Sequence, residues 1–198
     1  MKSSLLGTRT IENLLKSFAG ECQARGRYTM FQKRAVHDGF EQIAKVFQET
    51  ADNELVHSEI FYKHILKHTE PEVIHNINIQ AQYPVFFGDT LQNLKAAAMG
   101  EHEEATILYP EFAKIADEEG FPEIAFSYNK IILVEKVHEE RYLDLADNVK
   151  HGTVFKKPKE VVWKCSKCGY HHVGTDALKV CPVCGYSQSY FELYTRNY

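Results

Sequence analysis

A chain of 198 residues, 44% hydrophobic and 25% charged, has the composition of a globular protein with room for one sizeable core and a small appended module. A net charge of −4 without basic runs argues against a nucleic-acid binder. The opening stretch "MKSSLLGTRTIEN" holds no apolar run of the length a signal peptide or membrane span needs, so cytoplasmic residence is the expectation.

Helical apolar spacing over about residues 10–37 predicts a first helix with Ile11, Leu14, Phe18, Glu21 and Tyr28 turned inward. A second runs over about 40–67, with Ile43, Phe47, Thr50, Glu54, His57 and Phe61 inward. The connection "HTEPEVIHNINIQAQYPVFFGD" follows. At roughly 3.3 Å per extended residue it can run the length of such a helix, and its Ile, Tyr and Phe predict packing on the bundle or on a neighbouring chain. A third helix over about 90–119 carries Leu94, Ala97, Glu101, Glu104, Leu108 and Ile115, with a kink expected at Pro110. A fourth, over about 122–149, carries Ile124, Tyr128, Ile131, Glu135, His138, Tyr142 and Leu145. Two helical hairpins joined by one long connection predict a mainly α fold, a four-helix bundle with a crossover. Residues 1–150 are assigned to this bundle, 151–160 to a linker and 161–198 to a small β-rich module.

The two hairpins resemble each other. "FAGE" ending at Glu21 answers "AMGE" ending at Glu101, 80 residues on, and Glu54 with His57 answers Glu135 with His138, 81 residues on. Such a duplication predicts polar residues at matched heights on all four helices. An ionised carboxylate in a bundle core is costly unless it is paired or binds a metal, and only Arg25 offers a basic side chain near that height. One glutamate from each of two helices plus Glu-x-x-His from each of the others is the ligand set of a carboxylate-bridged dinuclear site. Carboxylates with one imidazole per metal suit iron or manganese. Glu103, Glu118, Glu119, Glu139 and Glu140 fall off the seams and read as solvated faces, and His64, His68, His75, His102 and His151 as surface residues. Cys22 lies about 100° round the helix from Glu21 and reads as a buried spectator thiol.

Five cysteines is an odd count, but Cys165, Cys168, Cys181 and Cys184 form two CxxC pairs, "CSKCGY" and "CPVCGY". In a reducing compartment this spacing reads as a tetrathiolate metal site rather than as disulfides. Spacing alone slightly favours zinc; a dinuclear redox site in the same chain needs an electron source and shifts the balance to iron. Trp163, Tyr170 and Phe191 are the expected core of the module.

On "GTRTIENLLKSFAGECQARGRY", "ETADNELVHSE", "GEHEEATILYPEFAKIADEEG", "VEKVHEERYLDLA" and the double knuckle, the chain resembles the rubrerythrin family over essentially its whole length. The resemblance implies a ferritin-like bundle with a non-haem diiron site and a rubredoxin-like domain with one iron in four cysteine sulfurs. It implies that Glu54 and Glu135 bridge the irons, that Glu21 is terminal on one, and that Glu101 and His138 serve the other. His57 and Glu104 would alternate on the first iron as the oxidation state changes. Tyr28 and Tyr109 resemble the family's tyrosines near the site and are expected to donate hydrogen bonds to ligands or bound peroxide.

The implied activity is reduction of hydrogen peroxide to water. Four carboxylates would neutralise a diferrous pair, and Glu104 could join when oxidation raises the charge. Glu104, His57, Tyr28 and Tyr109 are thus the candidate catalytic residues. Electrons would come from NAD(P)H through a separate reductase, because no Gly-rich dinucleotide fingerprint is present, with free rubredoxin as a further carrier. The resemblance further implies a head-to-tail homodimer in which one subunit's mononuclear iron serves the other's diiron pair. The chief rival is a ferroxidase or iron-handling protein, against which the electron-transfer module argues. A zinc-ribbon interaction module and a superoxide reductase are weaker rivals, the first opposed by seven ligand-type residues on the seams.

Overall fold

The computed structural model describes residues 4–196. Helix α1 (Arg9–His37) opens at Thr8, whose hydroxyl accepts from the Ile11 amide, and α2 (Glu41–His68) follows a tight turn. Helix α3 (Thr90–Glu103) starts in a capping box between Asp89 and Gln92. The chain then makes a π-helical turn (Glu104–Leu108), resumes as α4 (Tyr109–Glu118) and closes the bundle with α5 (Pro122–Lys150). The irregularity expected at Pro110 therefore falls just before it. Pro110 directly follows the π turn in an unbroken helix, Leu108 and Tyr109 both keeping helical dihedrals, so its missing amide hydrogen falls at the end of the widened turn.

The duplication extends to the caps. Asp38, just past α1, accepts from the amide and hydroxyl of Thr90 at the start of α3 (3.0 and 2.7 Å). Glu119, just past α4, accepts from the amide and hydroxyl of Thr10 at the start of α1 (2.8 and 2.5 Å). Each half thus caps the other, satisfying amides that a helix start leaves without partners. Glu119, expected on a solvated face, is a cap instead.

The crossover, residues 70–89, has neither helix nor strand and is largely exposed, Ile74 at 89% and Val85 completely. Besides the hydrogen bonds of Gly88 with the Asn93 side chain at its end, contacts along its length tie it down. Ile77 packs against the core, Phe87 lies 6.2 Å from Phe31, and Tyr83 Oη donates to the Lys16 carbonyl at 2.9 Å.

Strands β1 (Lys156–Cys165), β2 (His171–Asp176) and β3 (Phe191–Leu193) form an antiparallel sheet of order β2-β1-β3. Its core is Trp163, Phe191 and Ala177, with Tyr170 partly buried beside them. β1 begins at Lys156, so residues 156–160 of the expected linker are strand. Residues 1–3 and 197–198 of the two expected domains lie outside the described residues. The module rests on the α1–α2 turn, where Phe155 stacks on Phe40 at 6.1 Å and Lys45 pairs with Glu192 at 2.8 Å. Among the described residues no helix is long and apolar enough to cross a membrane.

Candidate metal centres

Two aromatic boxes fill the bundle. Tyr28, Phe31, Phe47 and Tyr142 pack ring against ring in one, and Tyr109, Phe112, Tyr128 and Phe61 in the other. Adding 81 to 28, 31, 47 and 61 gives 109, 112, 128 and 142, so each box is the other's image under the duplication. They belong to separate apolar clusters, and a polar layer lies between.

That layer consists of Glu21, Glu54, His57, Glu101, Glu135 and His138, all buried. Ligand-type atoms of Glu21, Glu54, His57 and Glu135 lie within 4.8 Å of one another, and so do those of Glu54, Glu101, Glu135 and His138. Glu54 and Glu135 are common to both sets. Buried oxygens of Glu21, Glu54, Glu101 and Glu135 lack a well-aligned hydrogen bond. Orphaned buried anionic oxygens are costly unless a cation meets them. Two overlapping sets with a shared pair of carboxylates fit two adjacent metal positions, and hard oxygens with one imidazole each fit non-haem iron.

The electrostatics of the metal-free layer carry the same message. Burial first, then the carboxylates of Glu54, Glu104 and Glu135, push Glu21 well above the usual carboxylate range. Burial with neighbouring carboxylates likewise raises Glu101 and Glu104. Burial also works to raise Glu54, but hydrogen bonds from His138 and His57 hold it at about 2. Burial works to lower the histidines. Contact with Glu135 and Glu54 nonetheless lifts His57 to about 9, and Glu101, Glu135 and Glu54 lift His138 to about 12. Without metal, protons take the cation's place.

Glu104 belongs to neither set of four. It opens the π turn, and the register explains its position. Glu21 and Glu101 are 80 residues apart, whereas Tyr28 and Tyr109 are 81 apart, so one residue has been added between them in the second half. Aligning Ala24 with Ala105, both buried, leaves Glu104 as that added residue. A one-residue insertion in a helix is accommodated as a π bulge. The shift from 80 to 81 was the sequence signal for the turn.

Tyr28 Oη donates to Glu101 Oε1 at 2.6 Å, and Tyr109 Oη donates to Glu21 Oε1 at 2.5 Å. Each tyrosine thus reaches across to the glutamate of the other half. One contact breaks the symmetry: His138 Nε2 meets Asn53 Oδ1 at 3.3 Å, directing Nδ1 towards the carboxylates. The equivalent of Asn53 in the other half is Val134, which offers no acceptor.

In the C-terminal module Sγ atoms of Cys165 and Cys184 are 3.7 Å apart, and those of Cys168 and Cys181 3.6 Å. These are tetrahedral edges, close to the roughly 3.8 Å expected for four sulfurs about 2.3 Å from one metal, and far from a disulfide of about 2.05 Å. Each knuckle turns at a glycine with positive φ, Gly169 at 78° and Gly185 at 74°. Burial works to raise the Cys181 thiol, but the amides of Cys184 and Val183 bring it to about 7.

Three expectations are corrected. Cys22 is exposed rather than buried, because its 100° offset from Glu21 turns it to solvent. Arg25 is exposed; the guanidinium that acts on Glu104, opposing its rise without overcoming it, is that of Arg27. The His68 side chain is only 8% exposed and pairs with Glu123 at 2.9 Å, held in by Phe121.

Residues 12–146 match the family model described as rubrerythrin, and 163–192 match that of the rubrerythrin rubredoxin-like domain. A rubrerythrin of Clostridium perfringens is 49% identical over 98% of this chain and 99% of its own length. A partially reduced nigerythrin structure aligns over 97% of this chain and 92% of its own, with a TM-score of 0.63 and 30% identity. A Desulfovibrio desulfuricans bacterioferritin aligns over 73% of this chain and 82% of its own, with a TM-score of 0.64 and 22% identity, a likeness of fold.

Proposed function

The chain belongs to the rubrerythrin family, with a non-haem diiron site and a rubredoxin-like four-cysteine iron site, and on that premise we propose that it is a cytoplasmic peroxidase reducing hydrogen peroxide to water. The observation that carries the reading is Glu104, a fifth carboxylate set beside two complete four-residue sets on a π turn that the other half lacks. Bound iron would supply two electrons, one from each ion. Glu54 and Glu135, common to both sets, would serve both ions, Glu21 and Glu101 would each hold one, and His138 would bind beside Glu101. Glu104 and His57 would be alternative ligands beside Glu21, the carboxylate bringing one more negative charge than the imidazole. Tyr109 and Tyr28 hold Glu21 and Glu101 in place through their hydroxyls, and the aromatic boxes exclude water above and below.

Electrons would be drawn from NAD(P)H by a separate reductase, with or without free rubredoxin, and enter through the cysteine-bound iron. The module sits at the α1–α2 turn, and Glu54 lies thirteen residues along α2 from Glu41, about 20 Å at the helical rise. Transfer over such a distance is slow, which supports a head-to-tail homodimer in which each module serves the partner's bundle. The exposed apolar crossover is a surface that such a partner would cover.

Anaerobic rapid mixing of the reduced, iron-loaded protein with hydrogen peroxide, and separately with dioxygen, tests the reading. Reoxidation is followed through the visible absorption of the ferric tetrathiolate. Peroxide is expected to reoxidise the protein at least about tenfold faster than dioxygen, a difference of about 1.4 kcal/mol in barrier. Faster reaction with dioxygen would replace the peroxidase by a ferroxidase.

A further inference from the structure

Beside the polar layer lies a cavity of about 580 Å³, walled by α1, the π turn, the start of α4 and residues 80–84 of the crossover. We propose that it is a substrate pocket for uncharged organic hydroperoxides, ROOH, so that the same diiron site reduces alkyl hydroperoxides to alcohols. The inference rests on the peroxidase reading and names a wider substrate class for it.

Size is the first argument. A water molecule takes about 30 Å³ of liquid, so the cavity holds on the order of twenty, whereas hydrogen peroxide is two oxygens. The volume lies in the range of pockets that bind small organic ligands, about 300–1,000 Å³. Position is the second. Glu104 and Tyr109 line the cavity, and Tyr109 holds Glu21. At Gly20, next to Glu21, the nearest atoms facing the missing side chain are Tyr83 Cε1 and Glu104 Oε1, 3.7 and 3.8 Å from where Cβ would be. The cavity therefore reaches the carboxylate layer, and the crossover forms its roof. That roof is pinned by Tyr83 Oη on the Lys16 carbonyl.

Chemical character is the third. Leu108, Phe112 and Ile115 give an apolar side on which an alkyl or aryl group can lie. Around the rim, Arg9, Lys16 and Arg27 are matched by Glu12, Glu103 and Glu111. Arg9 approaches Glu111 at 4.0 Å, and Arg27 donates to Gln23 at 2.7 Å and lies over Tyr28. No surplus positive charge is left to bind a carboxylate or phosphate head, so a neutral hydroperoxide fits better than an anionic one.

The reaction balances with no additional reductant: ROOH + 2 e⁻ + 2 H⁺ gives ROH + H₂O. The O–O bond breaks, the electrons come one from each iron of the reduced pair, and the protons come from solvent at the polar rim. The hydroperoxide end would face Glu104, and R would occupy the apolar side.

The test uses full-length, iron-loaded protein in its native oligomer, reduced anaerobically and mixed with cumene hydroperoxide, tert-butyl hydroperoxide or hydrogen peroxide. The corresponding alcohol is quantified. A second readout needs no iron: calorimetric titration of the metal-free protein with cumyl alcohol. Ala81→Trp and Gln82→Trp, both from the exposed roof, reduce the free volume; their melting curves and ferric-thiolate spectra report folding. We expect cumene hydroperoxide to reoxidise the wild type with one alcohol per chain and cumyl alcohol to bind. At least one tryptophan variant should slow the organic substrate by about tenfold or more while leaving hydrogen peroxide within about twofold. If hydrogen peroxide reacts and the organic hydroperoxides do not, the pocket proposal fails and the peroxidase reading stands. If neither reacts, the peroxidase reading itself fails. Organic turnover unchanged in both folded variants, or no binding of cumyl alcohol, removes the cavity as its site.

Discussion

Glu54 and His57 pose the problem that the chain solves: a carboxylate and an imidazole aimed into an apolar core, 1% and 6% exposed. They were legible because charge on a helical seam has few cheap explanations, and because Glu135 and His138 repeat them at a fixed offset. The cap at Glu119 was not legible, because it depends on contact between distant segments, 110 residues apart for Arg9 and Glu119. The same polar layer sets a pH dependence. As pH rises past 4.5, an unfolded chain releases the protons of Glu21, Glu101 and Glu104 while the folded metal-free chain holds them, so its stability falls. His57 adds to this: its stabilisation is complete below its unfolded value of 6.5 and is lost as pH climbs through about 9. Glu54, held at about 2, works in the other direction, but only below 4.5. Metal binding displaces the trapped protons and so strengthens with pH. Calorimetry between pH 6.5 and 9 should show the metal-free protein losing on the order of 1–3 kcal/mol, roughly 2–4 °C of melting temperature per kcal/mol. The iron-loaded protein should lose less, so the gap between them widens. A gap independent of pH would mean that the layer is not protonated in this way.

At the scale of elements, the four helices, their order and the crossover follow from apolar periodicity, and the bounds expected from sequence lie within a residue or two of those observed. The π turn did not follow from periodicity, which is too coarse to register one added residue in a long helix. It was encoded in the offsets, 80 at Glu101 and 81 at Tyr109, and Pro110 drew attention to a neighbouring position instead. Deleting Glu104 should restore a continuous helix through this segment, because the residues on either side are already in register with α1. Both four-residue sets survive the deletion, so two irons per chain should still bind. Glu104→Gln keeps the turn and removes only the charge. Reoxidation of the diiron pair by peroxide is expected to slow by about tenfold or more in both variants. A shortening of the π turn should be seen crystallographically in the deletion alone. Wild-type peroxide rates in the deletion variant would show that the turn serves packing and not the chemistry.

The molecule as a whole puts its two metal centres far apart in one chain. The module is anchored on the α1–α2 turn by Phe40, Phe155, Lys45 and Glu192, while the carboxylate layer lies mid-helix. This anchoring was not legible in the sequence, since it depends on where a ten-residue strand leaves the bundle, and the segment before it read as a linker. A relay between subunits makes a prediction that a relay within one chain does not. Glu54→Ala should disable the diiron pair, and Cys168→Ser with Cys181→Ser should disable the cysteine site, so in the proposed homodimer either variant alone should be inactive. When the two variants are unfolded, mixed in equal amounts, refolded and loaded with iron, half the dimers combine one chain of each kind. In such a dimer, a head-to-tail relay has one intact route, from the module of the Glu54→Ala chain to the bundle of the other. Steady-state peroxidase activity should then recover to roughly a quarter of that of wild-type protein refolded alongside. A relay within each chain predicts no recovery at all, because every chain lacks one of its two sites. Recovery near a quarter therefore places the electron path across the interface, and its absence, with mixed dimers confirmed by native mass spectrometry, places it within the chain.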